Sequence, residues 1–395
     1  MRDTRVLLLL CTLITLCPMR AVHAAAPYID PATDAEHWGP ADPSKTLFWT
    51  PAQQVSGYRN MEKLFPSRRI PASTAPSVLP EALVDLADIR FLHDGVATTV
   101  DEYCAERSVA GLIVLQNGTI VYERYGLGND RYTRWTSWSV AKSVTSLLVG
   151  AAVRDGYIGS VDEKVTDYLP RLKGSAYDGV RLRDILHMAS GVEWGENYTD
   201  PQSDINRAQW GTLPLQQYLR TKGVAAQPGT VFNYNTAETN LVGTLLRAAI
   251  GNNLSTYLSE KIWQPAGMET DAYWSLTEPG GGEFSGCCLS ATLRDYARIG
   301  LFALREGQPG GAQVLPDGWM GDSTSPSSTN PGYGYLWWLR GDGSYRANGV
   351  FGQGISIHPQ EGIVIALHSA RPNASTPEDS ARQEALFTAL AGALT

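Results

Sequence analysis

The chain has 395 residues, enough for two or three small domains or for one large domain with insertions. Its 11 Trp, 18 Tyr and 43% hydrophobic residues indicate a folded globular protein and exclude a disordered, collagenous or polytopic membrane chain. The net charge is −8 and no basic run occurs, so we expect no nucleic-acid partner.

The first residues have the three-part layout of a secretory signal peptide. Arg2 and Arg5 precede an apolar run from Val6 to Cys17, and Val22-His23-Ala24 follows as a small-residue cleavage pattern. The apolar run is too short to span a bilayer. We therefore predict a signal peptide over residues 1–24, a periplasmic or secreted protein, and no membrane anchor after cleavage.

Three cysteines remain once this segment is removed, namely Cys104, Cys287 and Cys288. In an oxidising compartment, one disulfide from Cys104 to Cys287 or Cys288 is compatible with the sequence, and so are three buried thiols. The six His show no paired metal-ligand spacing, so we expect neither a metal site nor a cofactor.

The elements in chain order begin with residues 25–90, which are rich in Pro, Ser and aromatic residues and have no sustained period. We interpret them as an extended arm packed on a main domain at residues 91–395. In residues 111–126, Asn117-Gly118 separates two β-rich runs, which predicts a hairpin because both turn positions need a positive φ. Residues 135–306 are predicted to be mainly helical, with Thr292 capping a helix over 293–305.

Strands return late in the chain, over residues 333–339, 355–358 and 363–368. Thr376-Pro377 with two following acids then predicts the start of a C-terminal helix. Because strands come from both chain ends and helices lie between them, we predict an α+β fold. Its antiparallel sheet is built from both ends of the chain, and the insert at about 135–306 is largely helical.

The strongest predicted helix opens with Ser139-Val140-Ala141-Lys142 and ends near Arg154. Ser139 in the first turn has its backbone N–H at the positive helix end, which suits an oxyanion. Lys142 shares the face of Ser139, and a buried neutral amine can take the serine proton. Of seven Lys, only Lys142 has Ser three residues before it. About half a match is expected by chance, so a capping serine beside a surface lysine is the alternative.

Two further segments carry candidate chemistry. Tyr234 lies in a loop before a helix, where its phenol can pass a proton to a leaving group, although a packed aromatic is the alternative. Gly352-Gln353-Gly354 leads into a late strand, where glycines allow a substrate to lie along the strand edge.

These three segments together resemble serine β-lactamases and penicillin-binding proteins in order and spacing. The chain is most similar to the 6-aminohexanoate-dimer hydrolase branch of that superfamily. The stretches that resemble the branch are 48–54, 57–61, 234–241 and 291–295, and the resemblance covers about residues 45–390.

The resemblance implies a β-lactamase-type fold with Ser139 as nucleophile, Lys142 as base and Tyr234 as acid and base. It implies an oxyanion hole made by the N–H of Ser139 and one from the strand near Gln353. Tyr198 is the candidate for a second tyrosine that contacts the scissile amide. The remaining candidates for substrate contact are Gly352, Asn235 and Trp194.

The sequence departs from the superfamily pattern at two places. Val350-Phe351-Gly352 stands where penicillin-recognising enzymes carry Lys-Thr-Gly and where related esterases often carry His, so we expect weak turnover of β-lactams. The tyrosine motif ends in Thr236 instead of the usual Asn.

The sequence thus predicts a hydrolase of small-molecule amides or esters. The alternatives are a carboxylesterase, a class C β-lactamase or D-Ala-D-Ala carboxypeptidase-like enzyme, and a non-enzymatic protein that binds cell-wall fragments. A Ser-His-Asp hydrolase is disfavoured because no G-x-S-x-G occurs. An aromatic substrate wall and core packing both fit the tryptophans Trp135, Trp138, Trp194, Trp337 and Trp338. The oligomeric state stays open.

Overall fold

The computed structural model describes residues 43–395, so the predicted signal peptide and the start of the predicted arm lie outside it. Its helices are α1 Pro51–Tyr58, α2 Met61–Leu64, α3 Val100–Glu106, α4 Val140–Arg154, α5 Val165–Tyr168, α6 Leu182–Leu186, α7 Asp204–Arg207, α8 Thr212–Arg220, α9 Thr236–Ile250, α10 Leu254–Leu258, α11 Leu293–Leu304, α12 Trp319–Ser323 and α13 Pro377–Gly392. Its strands are β1 Ser67–Ile70, β2 Arg90–His93, β3 Val96–Thr99, β4 Val109–Gln116, β5 Thr119–Tyr125, β6 Arg134–Thr136, β7 Ala272–Ser275, β8 Leu289–Thr292, β9 Trp338–Leu339, β10 Tyr345–Gly349, β11 Gln353–His358 and β12 Ile363–Ser369.

The main sheet has six strands in the order β5-β4-β12-β11-β10-β9, and every neighbouring pair is antiparallel. The first two strands come from the N-terminal half of the chain and the other four from its C-terminal end, which confirms the predicted α+β plan. The hairpin of β4 and β5 turns at Asn117 and Gly118, whose φ angles are 50° and 82°.

Both faces of this sheet are covered, and the side chains alternate between two cores. In β4, Ile113 and Leu115 belong to the core that includes α4 and α11, whereas Leu112 and Val114 belong to the core formed with α3 and α13. This double burial explains why β4 and β12 read as nearly continuous apolar runs.

Helix α4 lies in the middle of the molecule and packs against α9 and β10. Its residues from Val140 to Ala152 are all buried, so the apolar side chains surround the helix instead of forming a single face. Thr292 caps α11 and Thr376 caps α13, as their sequence patterns predict.

Three segments differ from the expected local structure. The predicted helical insert also contains β6, β7 and β8, which form a second sheet with β1. The predicted arm is not wholly extended, because Thr50 and Gln53 form a capping box that starts α1. In residues 333–339 only Trp338–Leu339 is a strand, because Leu336 has a φ of 62° that a strand cannot accommodate.

The cysteine pairing also differs from both arrangements that the sequence left open. Cys104 is free and is a buried residue of α3, and the disulfide joins the neighbouring residues Cys287 and Cys288. Cys104 lies in the α3–α13 core, whereas the pair belongs to a separate core with Trp138 and Phe351. None of the helices in the described part of the chain has the length and apolar character needed to cross a bilayer.

Candidate active site

Ser139 lies at a strained turn between β6 and α4. It occupies the cap position of α4, and the preceding Trp138 has a φ of 46°, in the left-handed region that non-glycine residues rarely adopt. Ser137 fixes this turn from below, since its N–H donates to Leu289 O at 2.8 Å and its Oγ accepts from the Leu289 N–H at 2.9 Å. Within residues 43–395, no acceptor is bonded to the Ser139 N–H, which is therefore available to an oxyanion.

Lys142 is buried one helical turn after Ser139, with a relative exposure of 1%. Its Nζ lies 2.9 Å from each of three oxygens, namely Ser139 Oγ, Thr236 Oγ1 and Gly286 O. Burial lowers the pKa of Lys142 to about 7, and the negative charge of Glu196 opposes this shift. A substantial fraction of the amine is therefore neutral near neutral pH.

Glu196 connects Thr236 to two aromatic side chains on the other side of the site. Thr236 Oγ1 and Trp194 Nε1 donate to its carboxylate in short hydrogen bonds, and Tyr198 OH donates to it at 3.0 Å. The Thr236 N–H at the start of α9 donates to the same group at 3.2 Å. Glu196 therefore accepts four hydrogen bonds.

These contacts determine the direction in which the Lys142 lone pair points. A carboxylate only accepts, so the single hydroxyl proton of Thr236 is directed to Glu196, and Thr236 Oγ1 can only accept from Lys142. Gly286 O is also purely an acceptor. A neutral amine thus uses both of its N–H groups on Thr236 and Gly286, and its lone pair faces Ser139 Oγ. This is the arrangement that a general base needs.

Tyr234 adjoins both Ser139 and Lys142. The Lys142 Nζ lies 5.0 Å from its ring centroid, and Trp338 stacks against the ring at 5.8 Å. Burial raises the pKa of Tyr234, and a hydrogen bond with Ser139 opposes this shift. The pKa of Tyr198 is also raised, by burial and then by the charge of Glu196. Both phenols are therefore protonated at neutral pH and are suited to donate.

A pocket of about 410 Å³ opens above Ser139. Its size is in the range of small-molecule sites, and most of its lining side chains are apolar. The arm contributes Met61 and Phe65 to one wall, and Trp210 packs on Phe284 in another with ring centroids 4.7 Å apart.

The charged residues of the pocket show whether another cation replaces the lysine of the missing Lys-Thr-Gly motif. Among the lining residues, all of which lie in the described part of the chain, Glu278 carries the only charged side chain. Val350, the first residue of the segment that the sequence analysis compared with this motif, lines the pocket. Arg346, the nearest arginine in sequence, is buried on β10 and pairs with Glu384 at 2.6 Å. The pocket wall thus contains no cation for a substrate carboxylate.

The structure places four of the predicted contact residues away from the pocket wall. Gln353 is fully buried, and its side chain bridges Trp135 and the backbone of Ser369. Gly352 faces Ser369, and Asn235 caps α9 through its Oδ1. Trp194 Nε1 donates to Glu196, and Trp194 does not line the pocket. The side-chain amide of Gln353, the Oδ1 of Asn235 and the Nε1 of Trp194 are hydrogen-bonded within the protein, and Gly352 has no side chain.

The tryptophans divide between core and site. Trp135 and Trp337 are fully buried core residues, Trp138 lines the pocket, and Trp338 stacks on Tyr234. Trp210, which sequence reasoning did not select, provides an aromatic wall of the pocket.

Sequence reasoning also missed Glu196 and Gly286, and it noted Thr236 only as a departure from the usual Asn. An acid two residues from each of Trp194 and Tyr198 was a weak signal, because only the fold brings this loop to the start of α9. Gly286 contributes a backbone carbonyl, for which no residue type is a signal. A Cβ on Gly286 would lie 2.9 Å from Thr236 Cγ2, so glycine allows this close approach.

Comparisons with known proteins identify the family to which the chain belongs. Residues 96–390 match the sequence profile of the family described as Beta-lactamase. The chain is 28% identical to a 6-aminohexanoate-dimer hydrolase of Paenarthrobacter ureafaciens, with 78% of this chain and 82% of that protein covered. It is 28% identical to a beta-lactamase of Yersinia enterocolitica over 49% of this chain and 51% of the other.

A solved structure from Bacillus anthracis, provisionally named a 6-aminohexanoate-dimer hydrolase, superposes with a TM-score of 0.78. It is 25% identical and covers 87% of this chain and 94% of its own. The predicted resemblance in sequence and the predicted type of fold are both confirmed.

Proposed function

The chain belongs to the beta-lactamase family and is a serine hydrolase, and we propose that it cleaves small-molecule amide or ester bonds through an acyl-enzyme on Ser139. The observation that carries this proposal is the buried Lys142 amine, held 2.9 Å from Ser139 Oγ by two acceptors that use both of its N–H groups.

Acylation begins with transfer of the Ser139 proton to Lys142 Nζ. The serine Oγ then attacks the substrate carbonyl, and the negative oxygen of the tetrahedral intermediate is stabilised by the Ser139 N–H at the start of α4. The Lys142 ammonium that forms donates to Thr236, Gly286 and Ser139, so each of its three protons has an acceptor.

Collapse of the intermediate needs a proton on the leaving group. Tyr234 gives its phenolic proton to the leaving amine or alkoxide and regains one from Lys142 across their shared contact with Ser139. Water then attacks the acyl-enzyme carbonyl, and Lys142 takes the proton of the water. Lys142 passes this proton to Ser139 Oγ as the acid product leaves, which restores the serine hydroxyl. Tyr198 faces the pocket with its hydroxyl on Glu196 and is placed to contact the substrate carbonyl or amide.

The pocket supports neutral or cationic substrates with apolar chains. Its walls are mainly aromatic and aliphatic, and Glu278 is their single charge. The Paenarthrobacter relative is named for the 6-aminohexanoate dimer, and we propose linear amides as the primary substrate class of this chain. We also propose that the protein is exported, on the basis of the layout of residues 1–24.

The test is a substrate panel on the purified protein. It comprises p-nitrophenyl esters of increasing chain length, the linear 6-aminohexanoate dimer and the β-lactam nitrocefin. We expect ester and linear amide hydrolysis, with nitrocefin turned over about ten- to a hundredfold less efficiently than the ester for lack of a charged hydrogen bond to its carboxylate. Ester without amide turnover would identify a carboxylesterase, and nitrocefin as the best substrate would contradict the proposed substrate class.

Labelling with a fluorophosphonate tests the nucleophile separately from the substrate. Mass spectrometry of the labelled protein should find the adduct on Ser139. The matched control is Ser143, one turn further along α4, whose Oγ donates to Leu336 O at 2.7 Å and faces away from the pocket. No label on any serine would favour a binding protein over an enzyme.

A further inference from the structure

The disulfide between Cys287 and Cys288 lies in the wall of the pocket, beside the catalytic groups. Both cysteines are 5% exposed and line the same cavity as Ser139 and Thr236. The pair connects the Gly286 turn to β8, which in turn pairs with β6 immediately before the nucleophile. The mechanism proposed above does not use either sulfur atom.

Backbone atoms on either side of the disulfide hold both halves of the catalytic pair. On one side, the carbonyl of Gly286 accepts from Lys142 Nζ at 2.9 Å. On the other, the N–H of Cys288 donates to Trp138 O at 3.3 Å, directly before Ser139. A displacement of residues 286–288 therefore moves an acceptor of the base and a support of the nucleophile together.

The backbone at the disulfide is in a conformation that needs support. Cys288 has a φ of 70°, in the left-handed region that is unfavourable for a residue with a Cβ. Its carbonyl accepts from the Ser275 N–H at 3.1 Å, and the carbonyl of Cys287 accepts from Trp274 Nε1 at 2.9 Å. The covalent link between the two side chains restricts this segment further than the hydrogen bonds alone.

We propose that the Cys287–Cys288 disulfide is a redox-sensitive positioning element that holds the Gly286 carbonyl against Lys142 and the Cys288 N–H against the Ser139 turn. This inference rests on the proposed roles of Ser139 and Lys142. The cysteines are positioning residues, because they act on the reaction through the backbone.

A small dithiol reduces the Cys287–Cys288 disulfide and removes this restraint on the backbone. One thiolate of the reductant attacks a disulfide sulfur and releases the other cysteine as a thiolate, and the second thiolate of the reductant then resolves the mixed disulfide. The protein gains two electrons and two protons, which leaves two thiols, and the reductant leaves as a cyclic disulfide. Cys288 is then free to leave its left-handed conformation.

We expect reduction to lower kcat by about ten- to a hundredfold, the scale of a misplacement of roughly 1 Å in a catalytic group. KM should change little, because the aromatic and aliphatic side chains that form the rest of the pocket wall remain. The pH profile supplies a second readout. The titratable groups that face Lys142 are Glu196, Tyr234 and, next to Glu196, Tyr198.

Those groups are unchanged by reduction, whereas the ammonium loses one of its three acceptors. Loss of an acceptor disfavours the charged form of Lys142, so reduction should lower its pKa from the value of about 7 that burial produces. The acid limb of kcat/KM should therefore move to lower pH as kcat falls. A general loosening of the fold would expose Lys142 to water and move the limb in the opposite direction.

Two double variants separate positioning from the mere loss of sulfur. C287S/C288S should behave as the reduced wild type and should be insensitive to dithiol. C287A/C288G also lacks the disulfide, but glycine adopts a φ of 70° without a Cβ penalty. It should recover kcat to within a few-fold of the oxidised wild type. C104S is the matched control, because Cys104 is buried in a different core, and it should remain sensitive to dithiol.

The experiment measures redox state, labelling of Ser139 and turnover on the same samples. The tryptic peptide 262–294 contains both cysteines of the pair and no other, so thiol blocking before digestion reports their state directly. The fluorophosphonate labelling rate of Ser139 is then measured before reduction, after reduction and after reoxidation. We expect an oxidised peptide, slower labelling after reduction, and recovery on reoxidation.

The outcomes distinguish this inference from the proposed function. Two free thiols in peptide 262–294 of the unreduced protein, or equal labelling and turnover in both redox states, would overturn the positioning role and leave the hydrolase intact. Absence of label at Ser139 in either state would instead refute the proposed function. If dithiol does not reach the pair, the comparison of C287S/C288S with C287A/C288G decides, and equal activity in the two variants would contradict the proposal.

Discussion

The inner and outer parts of the active site are built on opposite principles. The inner part, which we call the base cluster, consists of Lys142, Thr236, Glu196 and the Gly286 carbonyl, and it is polar and fully hydrogen-bonded. The outer part, which we call the chamber, is lined by Met61, Phe65, Trp210 and other apolar side chains around a single carboxylate. In the proposed mechanism, the base cluster moves the protons and the chamber selects the substrate.

This difference predicts how each part responds to change. In the base cluster every proton has an assigned acceptor, so exchanging one group reorients its neighbours, and buried polar groups left without partners are costly. In the chamber, contacts are non-directional and change with area, so substitutions should act on substrate choice in small steps.

The largest effect is expected for Ser139→Ala. Loss of the nucleophile removes the acyl-enzyme route, and activity should fall by about 10⁴- to 10⁶-fold, as for nucleophile knock-outs in other serine hydrolases. Ser139 is a cap residue with no side-chain capping bond, so the fold should survive. Steady-state kinetics and thermal unfolding measured together check this, and an active Ser139→Ala would remove Ser139 from the mechanism.

Lys142→Arg should be almost as damaging, because a guanidinium does not deprotonate in proteins. In the wild type, kcat/KM should rise as the pH passes upward through about 7 and fall away below it, since the base must be neutral. A pH profile of wild type and variant measures both effects. Lys261→Arg, on the surface beside Asp155, is the control and should be fully active.

Tyr234→Phe should separate amides from activated esters. An amine needs a proton to leave and a p-nitrophenolate does not, so amide hydrolysis should lose about 10²- to 10⁴-fold while ester hydrolysis loses far less. Phenylalanine keeps the stacking on Trp338. Equal losses on both substrates would mean that Tyr234 acts on the Lys142 proton instead of on the leaving group.

Glu196→Gln should disturb the base cluster through Thr236. A glutamine amide can donate as well as accept, so the Thr236 hydroxyl can donate to Lys142 instead of to residue 196. The Lys142 lone pair would then point to Thr236 and no longer to Ser139. We expect kcat to fall about ten- to a hundredfold. Because Glu196 raises the pKa of Lys142, its neutralisation should move the acid limb to lower pH. An unchanged acid limb would contradict the coupling.

The smallest effect is expected in the chamber, for Glu278→Gln. The amide oxygen can still accept from the Thr212 N–H, which Glu278 Oε1 does at 3.0 Å, so the local structure should persist. Removal of the charge should raise kcat/KM for an anionic ester relative to a neutral one by at most about fivefold, the scale of a partly exposed charge. A change of more than a hundredfold would mean that Glu278 takes part in the reaction itself and does not only select substrates.

Much of this molecule follows from local sequence patterns. The Asn117-Gly118 turn, the caps at Thr292 and Thr376 and the helix after Ser139 are decided by residues a few positions apart, whose φ preferences and hydrogen bonds act locally. The S-x-x-K spacing likewise places Ser139 and Lys142 on one helical face. Tyr234 was a candidate from its own loop, and the resemblance to a known superfamily grouped it with Lys142, which lies 92 positions away in sequence but beside it in the fold.

The tertiary structure decided the partners of those residues. Glu196, Thr236 and the Gly286 carbonyl come from three separate segments, and nothing in their local patterns indicates that they meet at Lys142. The same holds for Gln353, whose side-chain amide is hydrogen-bonded within the protein because burial requires it to find partners there. Nor did cysteine spacing indicate that Cys287 pairs with its neighbour while Cys104 remains free. Caps and turns satisfy their own hydrogen bonds locally, whereas the directions of protons in a buried site depend on groups that only the packing of distant segments brings together.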